Sequence, residues 1–97
     1  MPIYSIWESR FSAARAAEGL AVTEAIWRDM PCFDGYLSHE LLVDVDDPGH
    51  LLVVSQWASR GHADASLRRY ANHPTARAAD SLVVEPRRRT LVTRARD

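Results

Sequence analysis

Apolar and polar positions fall into successive blocks whose period changes at each boundary. From Ile3 to about Phe11, the run Ile-Tyr-Ser-Ile-Trp-Glu-Ser-Arg-Phe mixes aromatic, β-branched and polar residues as a strand does. From Ala13 to Met30, Ala13, Ala16, Ala17, Leu20, Trp27 and Met30 recur at helical spacing. Glu24 and Arg28 form an i,i+4 pair on this predicted helix, and Pro31 ends it. After the turn signal Asp34-Gly35, residues Leu37, His39, Leu41, Val43 and Val45 alternate with Tyr36, Ser38, Glu40, Leu42 and Asp44. The second strand therefore has one face that is apolar except for a single histidine. Asp47-Pro48-Gly49 reads as a tight turn into a third strand, His50 to Trp57, which makes strands two and three an antiparallel hairpin. Ser59 is placed to cap a helix running through Leu67, Arg68 and Tyr70. Pro74 breaks that helix, which restarts near Thr75 and ends around Asp80. Val83 to Thr93 is a fourth strand, interrupted by Pro86 and so expected at an edge or a bulge.

The order βαββαβ is that of an α+β, ferredoxin-like sandwich, a single domain over residues 1–97. Leu51, Leu52, Val53 and Val54 make the third strand apolar on both faces. One layer of two helices covers only one face of a sheet, so the other cover is expected from a second copy of the chain. Chain length points the same way, because a domain of 97 residues leaves roughly a third or more of its unfolded surface in water.

Charge narrows the chemistry. The 12 basic residues are all Arg, which excludes Schiff-base chemistry, a Lys general base and a P-loop lysine. They nearly balance 13 acidic residues, so no nucleic-acid partner is implied. The balance hides an asymmetry: residues 1–59 carry 3 Arg and 9 acidic residues, whereas residues 60–97 carry 9 Arg and 4 acidic residues. Cys32 is the single cysteine, so neither an internal disulfide nor a CxxC redox pair can form. No charged leader with an apolar run and no membrane-length apolar stretch is present, and the expected setting is the cytoplasm.

Gly35-Tyr36-Leu37 opening strand two, Gln56-Trp57-Ala58-Ser59 after strand three, and Tyr70-Ala71-Asn72-His73-Pro74 after helix two resemble the antibiotic biosynthesis monooxygenase family. The resemblance covers roughly Ile3 to Thr93. It implies a dimeric α/β barrel in which two ferredoxin-like subunits pack sheet to sheet. It also implies several activities: quinone-forming oxygenases of aromatic polyketide pathways, haem-degrading enzymes, isomerases, and proteins with no known reaction. The oxygenases use neither metal nor flavin, because an electron-rich phenolate or carbanion can pass an electron directly to oxygen. Such a protein has to supply a dry aromatic cavity, a group that favours the ionised substrate, and orientation.

On that resemblance the candidate catalytic residues are His39 and His73, and the candidate substrate-binding residues are Trp57, Tyr70, Asn72 and Arg77. No metal and no cofactor are implied, and the expected partners are a second copy of the chain, a small aromatic substrate and O2. Each residue also has a plain structural reading: Trp57 as core filling, His39 as a satisfied buried histidine, His73 as a helix-boundary residue, Tyr70 and Asn72 as packing and capping, and Arg77 as a surface partner of Asp80. His50 and His62 read as loop and surface residues. Arg87, Arg88 and Arg89 point to alternate faces of a strand, with Glu40 or Asp44 as expected partners. Two departures bear on activity: Val53 stands where anthrone-oxidising relatives carry asparagine, and residues 3–11 lack the asparagine of haem-degrading relatives. The expected function is a cofactor-independent monooxygenase acting on an electron-rich aromatic of the anthrone or hydroquinone kind. A haem-binding or haem-degrading homologue and a non-catalytic dimeric binding protein are the alternatives.

Overall fold

The computed structural model describes residues 2–96. Strand β1 (Ile3–Arg10) leads through a 3-10 turn into helix α1 (Ala16–Arg28); the hairpin β2 (Tyr36–Asp44) and β3 (Asp47–Trp57) follows, then α2 (Arg60–Tyr70), α3 (Pro74–Leu82) and β4 (Arg88–Val92). The four strands form one antiparallel sheet in the order β2-β3-β1-β4, the ferredoxin-like arrangement. The helices cover one face. Pleating sends Ser5, Trp7 and Ser9 of β1 and Leu51, Val53, Ser55 and Trp57 of β3 toward the helices, where most are buried. Ile26, Trp27 and Met30 from the α1 side, with Ala63, Tyr70, Ala76 and Ala79 from α2 and α3, complete the core. The opposite face presents Tyr4, Ile6, Leu52 and Val54 half-buried and Leu42 and Val92 exposed. No helix is long and apolar enough to cross a membrane among the described residues.

The second helical region divides as its sequence predicts. The Ser59 hydroxyl accepts the His62 N–H at 3.2 Å and so caps α2, and His73 caps α3 through Nδ1, which accepts the Thr75 N–H, with Pro74 in the first turn. Two expectations need correction. The hairpin turn is Val45-Asp46, not Asp47-Pro48-Gly49. Asp44 closes it by accepting the Asp46 N–H at 2.8 Å, while Pro48 and Gly49 lie inside β3 at an irregularity where the missing proline N–H is tolerated. A second irregularity between Tyr36 and Ser38 puts Tyr36 rather than Leu37 on the helix side; Leu37 is 50% exposed and Val45 95% exposed, so neither belongs to the apolar face. The fourth strand lies at the sheet edge and is interrupted around Pro86, as the sequence predicts. Val83 makes an isolated bridge with Phe11, the chain detours around Pro86, and pairing with β1 resumes at Arg88.

The charged end of the open face is built around His50, whose Nδ1 is 2.8 Å from Asp44 Oδ2 and whose Nε2 contacts Glu8 Oε2. An imidazole that meets carboxylates through both nitrogens is best satisfied as the doubly donating imidazolium. Asp44, then Glu8, therefore raise the His50 pKa above its ordinary value against burial and the nearby Arg10, and His50 in turn lowers that of Asp44. The His50 contribution to stability is full below the unfolded-state pKa of about 6.5 and is lost as pH rises through the raised folded-state value. The Asp44 contribution is full above about pH 4 and is lost as pH falls through its depressed value. His50→Gln should therefore destabilise the protein at about pH 5.5 and much less at about pH 9, as read from urea midpoints. An equal deficit at both values would show that the imidazolium is not the stabilising form.

Candidate functional site

Between the helix-facing side of β1 and β3 and the three helices lies a cavity of about 60 Å³. By the ~10–15 Å³ that one water requires, this is room for about four to six waters. Its floor is Ser5, Trp7 and Ser9 of β1 with Val53 and Trp57 of β3. Thr23, Ile26 and Trp27 of α1 close one side; Ser66, Leu67 and Tyr70 of α2 close another; Arg87 and Arg89, at and just before β4, close the end. All 3 tryptophans of the chain thus face one space. Aromatic faces on several sides suit a flat, polarisable guest, and the hydroxyls of Ser5, Ser9, Thr23 and Ser66 add a sparse polar rim.

The polar atoms of the walls are mostly committed to the protein. Trp57 Nε1 donates to Ser55 Oγ at 3.0 Å, so the indole is fixed and offers the cavity its apolar surface. The Tyr70 hydroxyl donates to Asp29 Oδ2 at 3.0 Å. Burial, with that neighbouring carboxylate, pushes the phenol pKa above its ordinary value, which keeps Tyr70 neutral and makes it a donor rather than a base. Thr23 donates to the Gly19 carbonyl and Ser66 to the Ala63 carbonyl, both at 2.7 Å. The Arg87 Nε–H is bonded to Asp80 at 2.8 Å, and its guanidinium lies 5.1 Å from the Trp7 ring centre. Among the described residues, no carboxylate and no histidine lines the cavity.

Of the residues singled out in the sequence, the structure brings Trp57 and Tyr70 to this space. His39 does not line it. The ring packs 5.3 Å from Trp27 and Nδ1 meets the Tyr36 hydroxyl, which places His39 behind the aromatic wall. His73 is exposed; it stacks on Tyr70 at 4.5 Å and its Nδ1 is occupied as the α3 cap, so the two histidines do not share the cavity. Asn72 and Arg77 are exposed outside it. The partner of Asp80 is Arg87, and that of Arg89 is Asp64. Glu40 and Asp44 do not pair with the arginine triplet; Arg88 stands opposite Glu8 on the open face. Trp7, Trp27 and Arg89 were not predicted as site residues. The position of Trp7 on the same face of β1 as Ser5 and Ser9, alternating with Ile6 and Glu8, is the available signal for the first of them. Among the described residues, no group of three or more His, Cys, Asp or Glu side chains is arranged to hold a metal ion.

Comparison with known proteins decides the family. The model of the antibiotic biosynthesis monooxygenase family matches residues 8–80. The chain belongs to that family. No curated protein matched it by sequence. Among solved structures, one described as an antibiotic biosynthesis monooxygenase superposes with a TM-score of 0.86 at 15% identity, over 97% of this chain and 99% of the other. SnoaB, a cofactor-independent oxygenase from Streptomyces nogalater, gives 0.85 at 18% identity over 99% of this chain and 95% of its own. Rv0793 from Mycobacterium tuberculosis gives 0.81 at 20% identity over 100% and 98%. At these identities the likeness establishes the shared fold of the monooxygenase family members. The cavity of the present chain is described by its own residues, including Val53 on the floor.

Proposed function

We propose that this family member is a cofactor-independent monooxygenase that oxidises an electron-rich aromatic with O2. The observation that carries the reading is the convergence of Trp7, Trp27 and Trp57 on one partly enclosed cavity with no carboxylate among its described lining residues. In this reading the substrate enters as, or becomes, a phenolate or enolate, transfers an electron to O2, and the resulting radical pair combines. Loss of water then leaves a carbonyl, so one O2 converts a CH2 group to C=O plus one H2O. The protein contributes exclusion of water, stacking by the indoles and alignment of the ring. Tyr70, whose one O–H is given to Asp29, contributes its ring to the wall, and His39 acts through Trp27 and Tyr36 as a positioning residue. At about 60 Å³ the cavity is well below the roughly 150 Å³ of an engineered cavity that binds benzene, so even one aromatic ring requires its walls to yield. The expected result is stoichiometric oxygen uptake on adding hydroquinones or anthrones without metal or flavin, with one atom of 18O2 in the product. Lack of uptake across a panel of one-, two- and three-ring substrates overturns the oxygenase reading.

The same proposal includes a homodimer formed through the open sheet face. Ile6, Leu52, Val54, Leu42 and Val92 form an apolar surface there that the helices of the same chain do not cover. Sedimentation should give a particle of twice the 10.9 kDa chain mass, and Val54→Glu at the centre of that face should reduce it to a monomer. A wild-type monomer at tens of micromolar would exclude the dimer.

A further inference from the structure

Arg89 carries a donor that the fold does not use. It stands opposite Trp7 in the β1–β4 register, faces the helices and is 18% exposed. One end of its guanidinium is anchored, with Nη2 donating to Asp64 Oδ1 of α2 at 3.0 Å. Nε is buried without a hydrogen-bond partner, the one such side-chain nitrogen or oxygen among the described residues. Arginine does not lose its proton at any ordinary pH, so this N–H cannot be neutralised and calls for an acceptor. Arg87 makes the contrast, because its Nε–H is already taken by Asp80 and its plane by Trp7. Charge agrees with geometry: Asp64 is shared by Arg60 and Arg89, which leaves that cluster one positive charge in excess beside a cavity with no carboxylate.

We infer that Arg89 is the anchor for an anionic oxygen on the aromatic ligand, a carboxylate or an ionised phenol lying in the plane of the ring. The Asp64 bond holds one end of the guanidinium, and a ligand in the cavity that Arg89 lines reaches the buried Nε–H once the side chains around it yield. The inference rests on the reading of the cavity as an aromatic site, and it adds that the ligand is bound as an anion by a residue of β4.

Calorimetric titration of the full chain under nitrogen tests it with benzoate, 2-naphthoate, their neutral amides, and 4-nitrophenol above and below its ionisation. Wild type should bind each carboxylate at least tenfold more tightly than its amide, and the 4-nitrophenol arm shows whether a phenolate is accepted as well. Arg89→Met should erase the carboxylate preference while leaving amide affinity within about threefold. Arg89→Lys, which keeps the charge and loses the Nε–H, should recover only part of it. If Arg89→Met fails to fold, the lysine variant and the wild-type carboxylate-to-amide ratio still decide. Equal binding of acid and amide by wild type, or an undiminished preference in Arg89→Met or Arg89→Lys, overturns the Arg89 assignment alone. Failure of every aromatic to bind overturns the cavity reading with it. Absence of oxygen uptake touches neither result, because the titration involves no turnover.

Discussion

Replacing Trp57 by alanine is expected to lower the unfolding free energy by about 3–5 kcal/mol and to abolish ligand binding in the cavity. Trp57 is 1% exposed, belongs to the core and forms part of the cavity floor. It is paired between Ile3 and Tyr36 in the sheet, and the Tyr36 ring meets it edge-on at 5.7 Å. Alanine removes the indole from all of these contacts at once and merges its volume with the existing cavity, which the surrounding strands cannot close. For a domain whose total stability is on the order of 5–10 kcal/mol, this is a large fraction. Urea denaturation should show a lower midpoint with the slope preserved. Trp57→Phe separates the effects: it keeps a ring but removes the N–H that reaches Ser55, and should cost about 1–2 kcal/mol. An alanine variant as stable as wild type would mean that the indole is not part of the core.

Gly49→Ala should be nearly as damaging, for a reason confined to the backbone. A Cβ at Gly49 would fall onto the carbonyl oxygen of Phe11, in the stretch where the Phe11 N–H donates to the Gly49 carbonyl at 2.7 Å. The obstacle is main chain and cannot rotate away, so β1 and β3 must separate just where β3 is already irregular. A loss of about 3 kcal/mol follows, or a fall of roughly 12–24 °C in the thermal midpoint of a domain this size. Gly61→Ala is the control: the nearest atom to its added methyl is the Ser59 hydroxyl oxygen at 3.7 Å. That variant should be neutral or more stable by up to about 1 kcal/mol. A thermal midpoint unchanged in Gly49→Ala would contradict the close approach of the two strands.

The order of elements was legible because it is written in local signals: period two in β2, helical spacing in α1, Ser59 and Pro74 at helix starts. The hairpin turn was misread because Pro48-Gly49 is a turn signal only when the chain reverses there. Here Asp44 closes an earlier turn, and the same two residues fill a strand irregularity. The site was legible to the extent that it lay in the core. Trp57 and Tyr70 reached the cavity; His39 and His73 drew attention as titratable residues near the right elements, yet a half turn of helix or the thickness of Trp27 separates such residues from a pocket. Arg89 illustrates the limit from the other side. Its alternation with Arg88 was readable, but the choice of Asp64 as partner and the unused Nε depend on how α2 crosses β4, which no short-range pattern encodes.

The pleat of the sheet has one more consequence. Ser5, Trp7 and Ser9, like Val53, Trp57 and Arg89, are odd-numbered and look toward the cavity, whereas Ile6, Leu52, Val54 and Val92 are even-numbered and look away from it. Across these three strands the cavity lining and the open apolar face are thus interleaved along the chain yet separated by parity. A substitution at an even position can therefore alter the proposed dimer face while the cavity lining stays intact, whereas the odd positions serve core and cavity together, so a change in what is bound there also draws on stability.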